Sequence, residues 1–361
     1  MITKPTLILD EKRCRENIRE MFLKAEKNGV GFRPHFKTHQ SLEIGRWFRE
    51  LGADKITVSS LEMARYFSPE WNDITVAFPV NVREIETINE LAGRIGLNLL
   101  LEAGEAAEFL RHNLKHPVGF FIKIDVGYHR TGLDPRDLAA IDRILGVSDK
   151  TRLLKFKGFL THAGHSYDAR GKEEILQIHR ESQNLLNPLK ARYLNKYPDL
   201  LVSVGDTPTC SVADDFSGFD EIRPGNFVFY DLCQNQIGSC GPDRIAVALA
   251  CPVVSLHRER NELVIYGGGV HFSKERMNDD DLGTIFGKVV EKTEDGGWGE
   301  PIPGMFVKSL SQEHGIITGP ESEIARWQSG DYLLVLPVHS CMTANLLKSY
   351  RTTEDRLISR L

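Results

Sequence analysis

The 361-residue sequence lacks the marks of several large protein classes. It has no apolar run near the ~20 residues that a membrane-spanning helix needs, and the apolar run at its amino terminus is too short for a signal peptide. It has no long basic stretch and a net charge of -5 at pH 7, so we expect neither nucleic acid nor a membrane surface as a partner. Its six cysteines are scattered without a CxxC pair, which indicates thiols in a reducing cytosol and predicts a cytoplasmic protein.

The first two thirds of the chain alternate between short apolar or β-branched segments and longer segments with helical spacing. This alternation predicts βαβ units and a parallel sheet. Eight strands predict a closed TIM-like (β/α)8 barrel, with a doubly wound open sheet as the alternative. The predicted strands are Gly31–His35, Lys55–Ser60, Ile74–Pro79, Leu97–Glu102, Gly119–Val126, Lys157–Gly164, Leu200–Thr207 and Glu221–Phe229.

The pattern of predicted secondary structure changes after about Gly241. Strand-like segments follow one another with almost no helix between them, and glycine and proline punctuate the intervals. This pattern predicts a second, mostly antiparallel β domain. The extended segment TKPTLILD precedes the first barrel helix and is a candidate partner for that domain. We therefore predict a barrel over residues 12–240 and a β domain made of residues 1–11 and 241–361.

Polar residues collect at the carboxyl ends of the predicted barrel strands, the face at which barrel enzymes build their sites. The first strand is followed by Lys37, which Arg33, His35 and His39 crowd. Nearby positive charge lowers the pKa of a lysine, and a neutral amine is what forms a Schiff base with an aldehyde cofactor. Strand alternation would place Arg33, His35 and Lys37 on one face.

Other polar groups follow later strands. Asp125 and Arg130 come after the fifth strand, and the sixth is followed by three further candidates, His162, His165 and Tyr167. The turn Val204–Thr209 comes at the end of the seventh strand, and the turn Arg223–Asn226 lies within the eighth. Both turns offer hydroxyl or backbone N–H groups. Phosphate sites in such barrels commonly use these two positions, so the turns predict a phosphate site.

The third feature is His339-Ser340-Cys341 in the predicted β domain. On extended backbone, residues two apart project to the same side, which suits two ligands of one metal ion. An imidazole with a thiolate favours zinc over magnesium or calcium, and two ligands leave coordination positions open for water or substrate. A lone HxC pair most often binds nothing, so this assignment depends on its context.

These motifs together resemble the fold-type III pyridoxal-phosphate enzymes, the group that includes alanine racemase, and most closely the D-serine dehydratase and D-threonine aldolase branch. The resemblance covers nearly the whole chain, and the combination of RPH-x-KTH with a downstream HxC is its specific mark. The motifs are PTLILDE, RPHFKTHQ, DVGYHRTG, HAGHSYD, VGDTPT, RPGNFVFYD, SQEHG and PVHSCMTANL.

The resemblance implies a role for each matching residue. Lys37 would bind pyridoxal phosphate covalently and move the α-proton, and Arg130 would position the cofactor ring. Tyr167, with His165, would line the cofactor or substrate. His339 and Cys341 would hold a divalent metal, favoured to be zinc, against the β-hydroxyl of the substrate. The residues implied to bind the phosphate are Thr207, Thr209, Gly225 and Asn226.

The resemblance also implies a reaction and an assembly. We expect a lyase that dehydrates a small β-hydroxy D-amino acid to a 2-oxo acid and ammonia, because Cys341 stands where the aldolase members tend to carry aspartate. Aldol cleavage to glycine and an aldehyde is the alternative. The family further implies a homodimer whose active site lies between one subunit's barrel and the other's β domain, with Glu313 and His314 approaching it.

Three other functions fit the sequence less well. A racemase would need a second base, typically a tyrosine such as Tyr266 or Tyr332, and no metal. A non-catalytic pyridoxal-phosphate-binding protein would lack the second domain. A barrel metal hydrolase would not need the special lysine of RPHFKTH.

Overall fold

Eight parallel strands form a nearly closed barrel in the computed structural model, which describes residues 1–361. Element labels follow chain order. The barrel strands are β2 (Gly31–Phe32), β3 (Lys55–Val58), β4 (Asp73–Pro79), β5 (Gly96–Leu101), β6 (Val118–Lys123), β7 (Leu154–Leu160), β8 (Leu201–Val204) and β9 (Glu221–Ile222). They pair in the order β2-β9-β8-β7-β6-β5-β4-β3, and a parallel bridge between His35 and Thr57 joins the two ends. The predicted barrel is confirmed, and the open-sheet alternative is wrong.

Helices alternate with these strands as the sequence predicts. They are α1 (Glu11–Lys27), α2 (Leu42–Glu50), α3 (Leu61–Phe67), α4 (Ile85–Ala92), α5 (Gly104–Asn113), α6 (Leu138–Ser148), α7 (Lys172–Leu194) and α8 (Thr207–Val212). Side-chain caps fix several starts: Ser41 accepts from Ile44 N, and Ser60 accepts from Met63 N. Each cap satisfies a backbone N–H that has no partner inside its helix. No helix combines the length and the apolar character that a membrane crossing requires.

Some barrel strands are buried on both faces. All six residues of β6 are buried, including Phe120, Phe121 and Ile122. Burial on both faces is typical of parallel sheets and explains why these strands read as continuous apolar runs. The same strand ends in a buried lysine, Lys123, which stands out in such a run.

A second sheet forms the β domain. Its strands are β1 (Thr6–Leu9), β10 (Val247–His257), β11 (Glu262–Tyr266), β14 (Gly287–Lys292), β15 (Trp298–Leu310), β16 (His314–Thr318), β17 (Tyr332–Pro337), β18 (Ser349–Thr352) and β19 (Leu357–Ser359). The order is β11-β16-β15-β14-β17-β10-β1-β18-β19, and β10 also pairs with β11, which closes a ring of six strands. Apart from the parallel pair β1–β18, these pairings are antiparallel. The predicted antiparallel domain is therefore confirmed.

The smaller elements complete this domain. They are the hairpin β12 (Met277–Asp279) and β13 (Gly283–Ile285), and the helices α9 (Leu232–Gln236), α10 (Gly269–Phe272), α11 (Glu321–Ile324) and α12 (Ser340–Leu346). As expected, the amino-terminal segment joins the later sheet: β1 pairs antiparallel with β10, with Leu7 opposite Leu249.

The chain divides into two compact units, residues 19–225 and residues 1–18 with 226–361. The division after Gly225 falls before the position 240/241 expected from sequence. Residues 226–240 belong with the β domain because their hydrogen bonds go there: Cys233 N donates to Val338 O at 3.2 Å. The sequence pattern does not show that residues 226–240 belong to the β domain, because the segment continues the apolar run of the last barrel strand.

Candidate active site

Lys37 lies at the carboxyl end of β2, in a turn formed by residues 36–39. Backbone bonds from His35 N to Pro224 O and from Phe36 N to Thr57 O, both 2.8 Å, hold the turn to its neighbouring strands. The Lys37 side chain is exposed. The strand stops at Phe32, so the expectation that alternation would place Arg33, His35 and Lys37 on one face does not hold. Arg33 is buried and forms ion pairs with Glu221 and Asp73.

Phe36 holds the lysine turn by packing its ring into the aromatic core. Its side chain is fully buried, and its ring centroid lies 5.1 Å from Phe48, 5.1 Å from Phe67 and 5.2 Å from Trp71. Gly45 leaves room for the ring, since a Cβ there would lie 3.0 Å from it. The buried aromatic residue therefore fixes the backbone while the adjacent lysine stays accessible.

Two histidines lie within the electrostatic reach of Lys37. Burial and the charge of Lys37 hold the pKa of His35 and of His162 well below the usual value of a histidine. His162 Nδ1 donates to Gly205 O at 2.6 Å, which leaves Nε2 unprotonated. Both imidazoles are therefore neutral at pH 7. The sequence pointed to both residues, but it did not single out His162 as a site residue.

The loop after β6 carries Arg130. Asp125 shapes this loop by accepting the backbone N–H groups of Gly127, Tyr128 and His129 at 3.0–3.1 Å. Burial would raise the pKa of Asp125, but the hydrogen bonds from His129 and Gly127 lower it. The guanidinium of Arg130 lies 4.8 Å from the centre of the Tyr128 ring, a cation–π distance. Arg130 is exposed, as a residue that meets a ligand must be.

Lys123 is the residue that sequence reasoning missed. Its side chain is 5% exposed, and burial, followed by the charges of Arg223 and Arg130, lowers its pKa to about 7. The charges of Arg130, Lys37 and Lys123 all act on His162, which places Lys123 in the same electrostatic neighbourhood. The available signal was a lysine ending the otherwise apolar run VGFFIK.

His165 and Tyr167 lie in the 3-10 turn Gly164–Asp168 that follows β7. His165 Nδ1 is buried without a hydrogen-bond partner, so it has bonding capacity for a ligand. Gly164 is required here, because a Cβ would lie 2.3 Å from the Tyr128 ring. Tyr167 OH accepts from Thr207 N at 3.3 Å, which connects this turn to one predicted phosphate turn.

The two predicted phosphate turns are held in place by different contacts. Asp206 caps α8 by accepting from Thr209 N and from the Thr209 hydroxyl, each at 2.8 Å. The Thr209 hydroxyl proton is therefore directed at Asp206, and Thr209 supports the turn. Gly225 packs against the lysine turn, since a Cβ would lie 2.9 Å from His35 O. Thr207 is buried at the first position of α8.

In the β domain, His339 and Cys341 hydrogen-bond to each other through their side chains. Burial would lower the pKa of His339, but the bond to Cys341 and the Cys341 charge raise it to about 9. The predicted extended geometry is wrong, because α12 begins at Ser340 and only His339 is extended, with φ -133 and ψ 101. The residues still bring an imidazole and a thiol together, a donor pair that fits zinc. No cluster of three or more His, Cys, Asp or Glu side chains is arranged to hold a metal, so a metal on this pair would keep open positions.

Asn226 is placed differently from the expectation. Its Nδ2 donates to Asp231 Oδ2 at 2.6 Å, to Ser340 Oγ at 3.1 Å and to Cys341 Sγ at 3.3 Å, while Oδ1 is buried without a partner. The side chain thus belongs to the surroundings of Cys341, and only the backbone N–H is available for a phosphate. The sequence could not show this, because Asn226 and Cys341 are 115 positions apart.

Glu313 lies in the turn between β15 and β16, and His314 is the first residue of β16. Glu313 Oε2 lies 3.8 Å from His271 Nε2, and His271 Nδ1 accepts from Gly268 N at 3.2 Å. The turn is held to the glycine-rich segment by backbone bonds such as Gly267 N to Glu313 O at 3.0 Å. These contacts fix the turn on the β domain.

A (β/α)8 barrel with a lysine after its first strand, followed by an antiparallel β domain, defines the alanine racemase-like class. Residues 9–232 match the alanine racemase N-terminal domain, so the chain belongs to that family. Residues 246–353 match the putative serine dehydratase domain.

Characterised relatives match over nearly the full length. The D-serine dehydratase of Dictyostelium discoideum is 29% identical over 98% of this chain and 94% of its own. The D-threo-3-hydroxyaspartate dehydratase of Delftia sp. HT23 has a solved structure with a TM-score of 0.91, 27% identity and coverage of 100% of this chain and 98% of that chain. A cysteine-to-alanine variant of the Delftia enzyme in the metal-free form is equally similar in fold. The D-threonine aldolase of Arthrobacter sp is 24% identical over 99% of this chain and 90% of its own.

Proposed function

We propose that the protein is a pyridoxal-phosphate- and metal-dependent lyase that dehydrates a small β-hydroxy D-amino acid to a 2-oxo acid and ammonia. D-Serine, D-threonine and 3-hydroxyaspartate are the candidate substrates. The observation that carries the proposal is the contact between the His339 imidazole and the Cys341 thiol in a chain that also presents Lys37 at the barrel rim. Full-length similarity to two dehydratases supports it.

The chain contains suitable groups to hold both cofactors. Lys37 would bind pyridoxal phosphate covalently, and the turns at Thr207 and Gly225 with the Asn226 N–H would receive the phosphate. Thr209 would hold its turn in shape through Asp206. His339 and Cys341 would bind the divalent metal, for which zinc suits the donor set. When bound, the pyridoxal ring withdraws electrons from bonds at the α-carbon, and the metal makes the β-hydroxyl a better leaving group.

The remaining steps belong to side chains of the barrel. Lys37 Nζ would remove the α-proton, a role that requires an accessible amine on a fixed backbone. The neutral imidazoles of His35 and His162 add no positive charge beside it. Arg130 would orient the cofactor ring from the rim, and His165 and Tyr167 would line the ligand. Position and charge support these roles, since the groups follow the carboxyl ends of the barrel strands β2, β6 and β7.

We propose that the protein acts in the cytoplasm as a homodimer, with the substrate between one subunit's barrel and the other's β domain. Glu313 and His314 would approach the substrate from that β domain. None of the six cysteines forms a disulfide, which supports a reducing compartment. Analytical ultracentrifugation tests the dimer, and a monomer at working concentration would contradict it.

The reaction is tested by product analysis. Purified protein is supplied with D-serine, D-threonine or D-threo-3-hydroxyaspartate, and 2-oxo acid, aldehyde and glycine are measured together. We expect 2-oxo acid and ammonia. Glycine and aldehyde without 2-oxo acid would establish aldol cleavage, and conversion to the L-enantiomer without either product would establish a racemase.

Two variants separate the cofactors. Cys341→Ala should lose bound zinc and dehydration together, while Lys37→Ala should lose dehydration and the cofactor's absorbance yet keep zinc. Full turnover by Cys341→Ala would remove the metal from the mechanism. Retained cofactor absorbance and activity in Lys37→Ala would show that Lys37 neither binds the cofactor nor takes part in the reaction.

A further inference from the structure

We infer that Asp231 is a positioning residue for the metal pair: acting through Ser340 and Asn226, it sets the directions in which His339 and Cys341 present imidazole and thiol. This inference rests on the proposed metal function. Nothing in the reaction above uses Asp231, although it ends the motif RPGNFVFYD.

The first observation is that four hydrogen-bond donors converge on the buried carboxylate of Asp231. Asp231 is 1% exposed. Its Oδ1 accepts from Gln234 N at 3.0 Å, and its Oδ2 accepts from Asn226 Nδ2 at 2.6 Å, Ser340 N at 3.0 Å and Ser340 Oγ at 3.2 Å. A buried carboxylate is stable only with such partners. Its bonds to Ser340 connect α9 to the residue between the two predicted metal ligands.

The second observation concerns the start of α12. The residue at its N-cap position is His339, which makes no capping bond with its side chain. Asp231 instead accepts the first N–H of the helix, from Ser340, over a separation of 109 positions. A helix start needs its N–H groups satisfied. Asp231 thereby holds the backbone of the residue that lies between His339 and Cys341.

The third observation is the orientation of Asn226. A carboxylate only accepts hydrogen bonds, so the NH2 end of Asn226 must face Asp231 Oδ2, and the amide cannot be flipped. The second hydrogen then lies between Ser340 Oγ at 3.1 Å and Cys341 Sγ at 3.3 Å. The opposite end, Oδ1, is buried without a partner. The structure tolerates this unsatisfied oxygen while directing an N–H donor at the sulfur.

Two hydrogen-bonded connections run from Asp231 to the predicted metal ligands. One passes through the Ser340 backbone to the start of α12, and the other passes through Asn226 to the Cys341 sulfur. Partners behind metal ligands orient them, and their loss typically weakens metal affinity about 10–100-fold. We expect the same range for Asp231→Asn, because the amide has no negative charge and only one acceptor oxygen, so its NH2 group must face either Gln234 N or the donors of Ser340 and Asn226.

The test measures metal binding, not turnover. Zinc affinity of the holoenzyme is determined by competition with a chromophoric chelator for the wild type and for Asp231→Asn, Asn226→Ala, Ser340→Ala, Cys341→Ala and Asp220→Asn. Asp220 is the matched control: it also accepts a backbone N–H, from Val202, and pairs with Lys190, in the barrel unit. Co²⁺ loaded in place of Zn²⁺ reports ligand geometry through visible bands at wavelengths longer than those at which the cofactor absorbs.

We expect Asp231→Asn to weaken zinc binding at least tenfold and to change the Co²⁺ spectrum, while Asp220→Asn changes neither. Ser340→Ala keeps the backbone bond and loses the hydroxyl, so it should weaken binding less. If Asp231→Asn fails to fold, Asn226→Ala decides the matter, because it removes the N–H donor that Asp231 directs at Cys341 Sγ and should weaken zinc binding.

Two results would count against the inference in different ways. Wild-type affinity and spectrum in Asp231→Asn, or in Asn226→Ala if Asp231→Asn does not fold, would overturn the role of Asp231 and leave the metal pair standing. Equal zinc binding by wild type and Cys341→Ala would overturn the metal pair itself, and the positioning role with it.

Discussion

The imidazole of His162 donates from Nδ1 to the backbone carbonyl of Gly205 at 2.6 Å, which joins the ends of two neighbouring barrel strands. A carbonyl oxygen only accepts, so the bond fixes the proton on Nδ1. Burial and the ammonium of Lys37 lower the pKa of this imidazole. A neutral histidine within the electrostatic reach of Lys37 is therefore built into the strand ends.

The lowered pKa of His162 predicts a loss of stability in acid. Below about pH 6.5 the unfolded chain binds a proton at this position and the folded chain does not, so the free energy of unfolding falls by up to about 1.4 kcal/mol per pH unit. Urea unfolding at pH 7.5 and 5.5 should show a larger loss for the wild type than for His162→Asn. His116→Asn, at an exposed histidine, should behave as wild type. Equal losses in wild type and His162→Asn would contradict the assignment.

Lys123 predicts a pH effect in the alkaline range. Its folded pKa of about 7 lies below the ordinary value of 10.5, so between these values the unfolded state binds the extra proton and stability rises with pH. Lys123→Met removes this dependence. The variant should therefore gain stability over wild type, and the gain should be larger at pH 6 than at pH 9. The measurement is the urea midpoint at both values, with Lys157→Met on the neighbouring strand β7 as control. A gain independent of pH would contradict a buried, titrating amine.

The sequence predicted the barrel because its strands are short apolar runs that end in polar residues, as Lys37 shows. It also placed β1 in the later sheet. It could not show that Asn226 turns toward Cys341 or that α12 starts at Ser340, because both residues bond to Asp231, which local pattern does not connect to them. Lys123 was missed for a related reason: only the closed barrel reveals that its side chain is buried.

Phe36 predicts that the lysine turn depends on an aromatic anchor. Phe36→Ala would leave a cavity between Phe48, Phe67 and Trp71, and such truncations cost about 3–5 kcal/mol. We expect a lower melting temperature and weaker retention of pyridoxal phosphate, measured by absorbance after gel filtration. Phe78→Ala, at a side chain that is 60% exposed, is the matched control. Full cofactor retention in Phe36→Ala would show that the turn holds its shape without the ring.

Glu221 predicts both a large mutational effect and its pH dependence. The carboxylate is fully buried and pairs with Arg33 at 2.9 Å and Lys55 at 3.1 Å. Burial would raise its pKa, but the charges of Arg33 and Lys55 lower it to about 2. The group therefore stabilises the fold above about pH 4.3, the unfolded value, and this stabilisation declines as pH falls toward 2. Glu221→Gln leaves the buried Arg33 without this partner and should cost about 3–5 kcal/mol at pH 7.

The exposed pair of Arg46 with Glu70 supplies the control for this measurement. At 2.6 Å its contact is shorter than the 2.9 Å of the buried Arg33–Glu221 pair, yet surface pairs contribute at most about 1 kcal/mol. Urea unfolding of Glu221→Gln and Glu70→Gln at pH 7 should therefore separate the two variants by several-fold in free energy. At pH 3 the deficit of Glu221→Gln should be smaller, because the wild type has by then lost part of the same stabilisation. Equal deficits for the two variants at pH 7 would mean that burial does not strengthen the Arg33–Glu221 pair.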